Sequence, residues 1–426
     1  MKGANLQQAS LRAAELVGAD VRRASFRGAD LSNLETSPDI PGMLSKSVQR
    51  AAKTDMRRAD LQAAKLCGAD LSGAVLTKAN LTAAIYDQHT KWPEGFSSVT
   101  AGAYGPRAVL IDANMEDVDL EGVDLEGADL TGATLYGGII SDTNLQGTIL
   151  TSAKLEGILV RGAIRGTPAS LPEEWLVYKG FLIGPSVWMD GVDLRGAQLA
   201  DKNISRAKLR RVQLVGADLS STRMAFSTLR AVDLKRASLQ GIVLGRSTLY
   251  NVSFRSSNLR GADLRQGKAE AAVDFTNAVL CEADICKADL RKATLTGADL
   301  SGCRYDHQTQ WPEDFEFRSS GAFGPESNLK GVDMSGGSLR GAELFAADLR
   351  AVSLRSADLK YARLDGADLS GADLTDAVLE EVLFDHYTIW PDGLDPTTRG
   401  ARRRVGHRGA RSVARSALQR RQRGLS

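Results

Sequence analysis

Aromatic residues are scarce in this chain of 426 residues, at 6% of the sequence. Ordinary globular cores draw much of their volume from Phe, Tyr and Trp, so this interior must be filled by small aliphatic side chains. Cysteine is scarcer still. Cys67, Cys281, Cys286 and Cys303 show no CxxC spacing, which excludes a zinc ribbon and a dense disulfide framework. They read as free thiols. Histidine also numbers four, and three of these, His89, His307 and His386, fall in copies of one local motif. Few groups are left from which a metal or acid–base site is built. No apolar run is long enough to span a bilayer. No secretory leader precedes the first repeat at Ala4-Asn5-Leu6, so the expected location is cytoplasmic. Acidic residues are missing after Asp395, where ten arginines fall between Arg399 and Arg423.

What fills the sequence is a period of five. Ala128-Asp129-Leu130-Thr131-Gly132 is followed by Ala133-Thr134-Leu135-Tyr136-Gly137, and Ala367-Asp368-Leu369-Ser370-Gly371 by Ala372-Asp373-Leu374-Thr375-Asp376. Each unit reads small, polar, Leu, polar, often Gly. Take the Leu as the centre. A helix would need apolar residues at spacings of three and four, and an unbroken strand would alternate throughout. Here the small residue and the centre lie two apart, so in extended chain they share a face. The next two residues suit a corner. Each pentapeptide is then one short side plus one corner, and four sides close a square coil of about 20 residues, with coils about 4.8 Å apart. The polar positions are expected to face water and to tolerate exchange freely.

The repeats fall into blocks. Block one covers 1–86, with a non-repeat loop at 34–53, and a spacer follows at 87–106. Block two, 107–167, holds ten acids against four bases; after the spacer 168–189 comes block three, 190–305, whose stretch 190–268 holds six acids against fifteen bases. Between Arg265 and Ala272 the repeat slips by one residue. The spacer 306–328 leads to block four, 329–384, then a spacer or cap at 385–398 and an Arg-rich tail at 399–426. Three spacers share a motif: Tyr86-Asp87 to Trp92-Pro93, Tyr305-Asp306 to Trp311-Pro312, and Phe384-Asp385 to Trp390-Pro391. The first two continue to Gly102-Ala103-Tyr104-Gly105-Pro106 and Gly321-Ala322-Phe323-Gly324-Pro325, while the 168–189 spacer is a variant with Trp175 and Gly184-Pro185. A solenoid end exposes unpaired backbone and open core. Trp92, Trp175, Trp311 and Trp390 are therefore expected to act as caps or hinges between coils.

Repeats such as Ala367-Asp368-Leu369-Ser370-Gly371 resemble the pentapeptide-repeat family, whose pattern is A(D/N)LxX. The resemblance covers most of the chain outside the spacers and tail. The tryptophan-proline spacers are similar to those of multi-block bacterial members. Membership implies an all-β fold, a right-handed quadrilateral parallel β-helix, and no catalysis by the bare repeat. The best understood members, the quinolone- and albicidin-resistance proteins, are similar to B-DNA in width and charge and bind DNA gyrase or topoisomerase IV in its place. This chain departs from them in its length, its spacers and its basic block three. Members of the family often pair end to end through a terminal cap, for which Tyr387, Ile389 and Trp390 are the candidates here.

No nucleophile with a partnered base is visible. Asp87, Asp306 and Asp385, each beside a His and a Thr, are expected to hydrogen-bond turn backbone. The chain is expected to be non-catalytic, without cofactor or metal, and to serve as a scaffold for protein–protein interaction with an unassigned partner. Two alternatives stand beside this. One is a gyrase- or topoisomerase-binding DNA mimic. Its candidate surface lies in 112–129, which holds eight acids and no base; seven of them are the candidates, Asp112, Glu116, Asp119, Glu121, Asp124, Glu126 and Asp129. The other is nucleic-acid binding through block three and the tail, including Arg402, Arg403 and Arg404, by counterion release.

Overall fold

The structure is a computed structural model that describes residues 2–9, 11, 16, 18–27, 29, 31 and 54–404. The loop 34–53 and the tail beyond 404 lie outside the described residues. The chain divides into two units, Met1–Trp188 and Met189–Ser426. The division falls within the variant spacer, whereas the spacers at 87–106 and 306–328 each lie inside one unit.

Both units are stacks of coils in a parallel β-solenoid. The register shows the square directly. In the first unit Val109, Asp129 and Ile149 pair in parallel, as do Asn114, Thr134 and Lys154; in the second, Asp193, Gln213 and Asp233 do the same. Partners stand 20 residues apart, so four pentapeptides make each coil.

The corners explain the glycines. Ala133 donates its N–H to the Leu130 carbonyl at 3.0 Å, and Gly132 between them takes a φ of +69°. This is a type II turn, which needs a left-handed residue at its third position. Where that residue is not glycine, the chain accepts strain. Ala351, exposed at such a corner, has a φ of +52°. Ala351→Gly is therefore expected to raise the urea midpoint, with a gain of about 0.5–1 kcal/mol. Relief of the left-handed penalty outweighs the entropy glycine adds to the unfolded chain. A lowered midpoint would mean that this corner is not held left-handed.

The position before the centre is less free than the repeat pattern suggests. Its Asp or Asn accepts the N–H of the residue two further on: Thr131 to Asp129 Oδ1 at 3.0 Å, Ser370 to Asp368 Oδ1 at 3.1 Å. These side chains cap the corners, where the sequence reading had them merely solvated. The Thr375 hydroxyl and N–H, both bound to Asp373, hold that carboxyl down at about 2.

The core is two inward residues per side. In the second unit Leu349, Leu354, Leu359, Leu364 and Leu369 are fully buried, and so are Ala347, Val352, Ala357, Ala362 and Ala367. Phe254 and Phe275 occupy centres of successive coils and stack at 4.8 Å with planes 4° apart, the spacing of paired strands. The expected slip is present. Leu249 pairs with Ala269, but Val252 pairs with Val273, so one extra residue is absorbed between them.

Candidate functional site

The spacers complete coils instead of interrupting them. Asp70 pairs with Lys91 and Ile85 with Tyr104; Asp289 pairs with Gln310 and Arg304 with Phe323; Asp368 pairs with Ile389 and Leu383 with Arg402. In all three copies the first partners stand 21 residues apart and the second 19, one more and one fewer than a regular coil. The third copy exposes something missed in the sequence. Gly400-Ala401-Arg402 stands as far beyond Trp390 as Gly102-Ala103-Tyr104 does beyond Trp92. Residues 399–404 are therefore part of the last described coil and not of a tail.

Aromatic rings fill the offset. Trp92 meets Tyr86 edge-on at 5.4 Å and stacks on Phe96 at 5.2 Å. Trp311 repeats this with Tyr305 at 5.3 Å and Phe315 at 5.4 Å. Trp390 meets Phe384 at 5.4 Å. The Tyr86 hydroxyl donates to the Pro106 carbonyl at 2.8 Å, and Tyr305 to that of Pro325 at 2.6 Å. A Cβ on Gly105 or Gly324 would lie 2.5 or 2.7 Å from these rings. The Gly-Pro pair is thus the seat of the tyrosine. In the variant spacer the seat holds a tryptophan, since a Cβ on Gly184 would lie 2.3 Å from the Trp175 indole. An antiparallel hairpin, Leu176–Tyr178 with Phe181–Ile183, fills the space between. Trp92 and Trp311 have coils on both sides, so what they cover is the register offset. Trp390 lies in the last described coil, half-covered by its own core, and Ile389 beside it is 44% exposed.

The Asp and Thr of each spacer bind backbone. Asp87 Oδ1 accepts the N–H groups of Gly68 at 2.8 Å and His89 at 3.1 Å, and Thr90 Oγ1 lies 2.9 Å from the Leu66 carbonyl. Asp306 and Thr309, then Asp385 and Thr388, repeat the arrangement. One oxygen of each carboxylate and each threonine hydroxyl are thus committed to the fold. His307 Nδ1 lies 2.7 Å from Glu343, which also holds Arg363 at 3.3 Å. Among the described residues no group of three or more His, Cys, Asp or Glu could hold a metal ion. Burial, aided by the Asp299 carboxylate 3.0 Å away, pushes the Cys281 thiol up to about 11. Burial does the same for Cys67. Both thiols are therefore held in the protonated, weakly nucleophilic form at neutral pH.

The acidic stretch does not form a face. Asp119 and Asp124 stand on successive sides of one coil, and Asp129 returns above Val109. Residues 112–129 therefore wind once around the stack. Asp119, Asp124 and Asp129 serve as corner caps for Glu121, Glu126 and Thr131, at 3.0, 3.1 and 3.0 Å. Asp112 sits at a left-handed corner with a φ of +52°, and Glu116, Glu121 and Glu126 point out at three other corners. The coil above carries Gly132, Tyr136, Ser141 and Gln146 at the matching places. A duplex-like surface needs charge running along the stack, whereas this charge forms a belt one coil thick. The expected acidic face is corrected on that ground. The arginines change as well. Arg402 pairs with Glu381 and Arg404 lies 3.6 Å from the buried Asp365, while Arg399 donates to the Leu374 carbonyl at 2.8 Å. Arg403 remains exposed.

Among the described residues no helix is long and apolar enough to cross a membrane. A comparison with curated proteins finds no match. Among solved structures, the chain is similar to HetL, a pentapeptide repeat protein involved in heterocyst differentiation regulation from the cyanobacterium Nostoc sp. strain PCC 7120. Identity is 28%, covering 48% of this chain and 92% of that one, with a TM-score of 0.26. It is similar to QnrB1, a plasmid-mediated fluoroquinolone resistance protein, at 16% identity over 56% of this chain and 96% of that one, with a TM-score of 0.23. A pentapeptide repeat protein from the Arabidopsis thaliana thylakoid lumen matches at 18% identity over 29% of this chain and 68% of that one, with a TM-score of 0.19. The sequence profile described as pentapeptide repeats matches residues 1–34, 54–85, 101–127, 128–164, 189–224, 228–266, 271–304 and, in two overlapping segments, 326–385. Those segments are the greater part of the chain and coincide with the coils, corners and caps just described, and the chain belongs to the pentapeptide repeat family.

Proposed function

We propose that this protein is a non-catalytic scaffold for protein–protein interaction, working in the cytoplasm. One observation carries the reading. Both inward positions of each regular side are closed into the core, so the variable chemistry stands on a rigid outer grid. Each coil repeats that grid about 4.8 Å further along the stack. Such a surface suits recognition by many fixed side chains better than chemistry in a cleft. Family members are generally structural or interaction proteins, which agrees with this.

Pull-down from bacterial lysate with the full chain, with and without nuclease, tests the proposal. The expected result is a protein partner retained after nuclease and bound at a fixed ratio in a purified pair. Complete loss of bound protein on nuclease treatment would overturn it. The gyrase-binding alternative predicts inhibition of supercoiling on titration with this protein. The belt arrangement of 112–129 argues against that result.

A further inference from the structure

One side of the second unit breaks the capped pattern. It is centred on Leu209, Leu229 and Leu249, and the residues before these centres are Lys208, Thr228 and Thr248, not Asp or Asn. The pairing on this side is also longer. Lys208–Arg210, Thr228–Arg230 and Thr248–Tyr250 run on as three-residue strands paired in parallel. Most other sides offer the ladder a single residue. The result is a flat ribbon. Its outer column is Arg210, Arg230 and Tyr250. The corner beside it stacks Arg206, Phe226 and Arg246.

These columns mix cations with rings. The Arg230 guanidinium lies 4.5 Å from the Tyr250 ring centre, and that of Arg246 lies 5.4 Å from Phe226. Phe226 is 52% exposed and holds a φ of +61°. An exposed bulky residue in that conformation is costly, and burial does not offset the cost. Arg210 beside Arg230 is a like-charge pair, which weakens a ladder. Several other arginines of this unit are neutralised by their own corner caps: Arg195 by Asp193 at 2.6 Å, Arg265 by Asp263 at 2.8 Å and Arg291 by Asp289 at 2.6 Å. Arg206, Arg230 and Arg246 have no carboxylate partner among the described residues. Asp190, 2.7 Å from Arg211 and 3.7 Å from Arg210, closes the lower border of the ribbon.

We infer that this ribbon binds single-stranded nucleic acid. The guanidinium columns meet phosphates and release counterions. The rings of Phe226 and Tyr250, set among those guanidiniums, offer stacking surfaces that any base can use. An acidic protein or an anionic lipid surface would match the charge, but it would have no use for exposed rings held between arginines. The site goes beyond the scaffold reading and does not call on the arginines after residue 398.

Fluorescence anisotropy of labelled oligothymidine against the full chain, at several salt concentrations, tests this. The arginines at the end of the chain are present in every protein compared, so differences isolate the ribbon. R206Q/R230Q/R246Q should lose about tenfold or more in affinity, and its slope of log K against log salt should fall by about 2. Phe226→Ala should weaken oligothymidine binding about 5- to 150-fold and leave heparin binding unchanged. Melting curves check folding, and Arg206→Gln alone keeps the test if the triple variant misfolds; its slope should fall by about 0.7. Wild-type affinity in the arginine variants would overturn the proposal. So would a Phe226→Ala protein that keeps oligothymidine binding, because the face would then read charge alone.

Discussion

Asp306→Ala is expected to destabilise the protein by about 2–5 kcal/mol, as read from the guanidinium midpoint. One oxygen of this carboxylate, Oδ1, accepts the N–H groups of Lys287 at 2.9 Å and Gln308 at 3.0 Å and lies 3.1 Å from Thr309 Oγ1. Asp306 and Thr309 are both buried. Removing the acceptor strands two backbone donors in a place water reaches poorly, at about 1–3 kcal/mol each. A hydroxyl loses its geometry as well. Asp306→Asn makes the sharper control. The amide keeps one oxygen, and one oxygen does all the accepting, so its cost should stay below about 1 kcal/mol. Equal losses for the two variants would mean that the charge, not the acceptor, holds the spacer. An unchanged midpoint for Asp306→Ala would mean that the spacer does not support its coil.

The period of five is enough to reveal the coil, because two inward residues and a corner recur without exception over long stretches. The slip near Ala269 is legible for the same reason: a single added residue shifts every later centre. The spacers are legible as motifs but not as coils. Their ladder is offset by one residue in each direction, and no local residue type announces such an offset. The pairing of Gly-Pro with the tyrosine ring is a contact across almost a whole coil, Tyr86 to Pro106, so it cannot be read from neighbours. The third copy, Gly400-Ala401-Arg402, hides because arginine stands where Tyr104 and Phe323 stand, and because arginines continue after it.

The charge pattern misleads for a geometric reason. Sequence proximity in a square solenoid means succession around the stack, while residues 20 apart share a face. Counted that way, 112–129 is a belt, and Arg210 and Arg230 are neighbours. The signal for the basic ribbon was in the sequence after all: Lys208, Thr228, Thr248 and Lys268 stand 20 residues apart in one column without an Asp or Asn, whereas each of the other three columns keeps at least one such cap. It could be recognised only once the cap had a physical role.

The small inward position yields the last test. Leu369 and Ala367 are both fully buried on one side of a coil. By register Ala367 lies between Ala347 below and Thr388 above, while Leu369 lies between Leu349 and Trp390. Leu369→Ala removes most of a side chain from a closed column and should cost about 2–5 kcal/mol. The lower end applies if the Trp390 indole settles into the space. Ala367→Leu inserts volume where four sides converge, and should cost about 1–3 kcal/mol. Coils in such a stack touch only their neighbours, so neither loss should spread evenly. Hydrogen exchange should show early opening of residues 364–404, while coils around Leu214 and Leu234 keep their protection. Uniform loss of protection across the second unit would mean that it unfolds as one body. A soluble Ala367→Leu protein with wild-type exchange and melting would mean that the inward position is not narrow, and the square coil would fail with it.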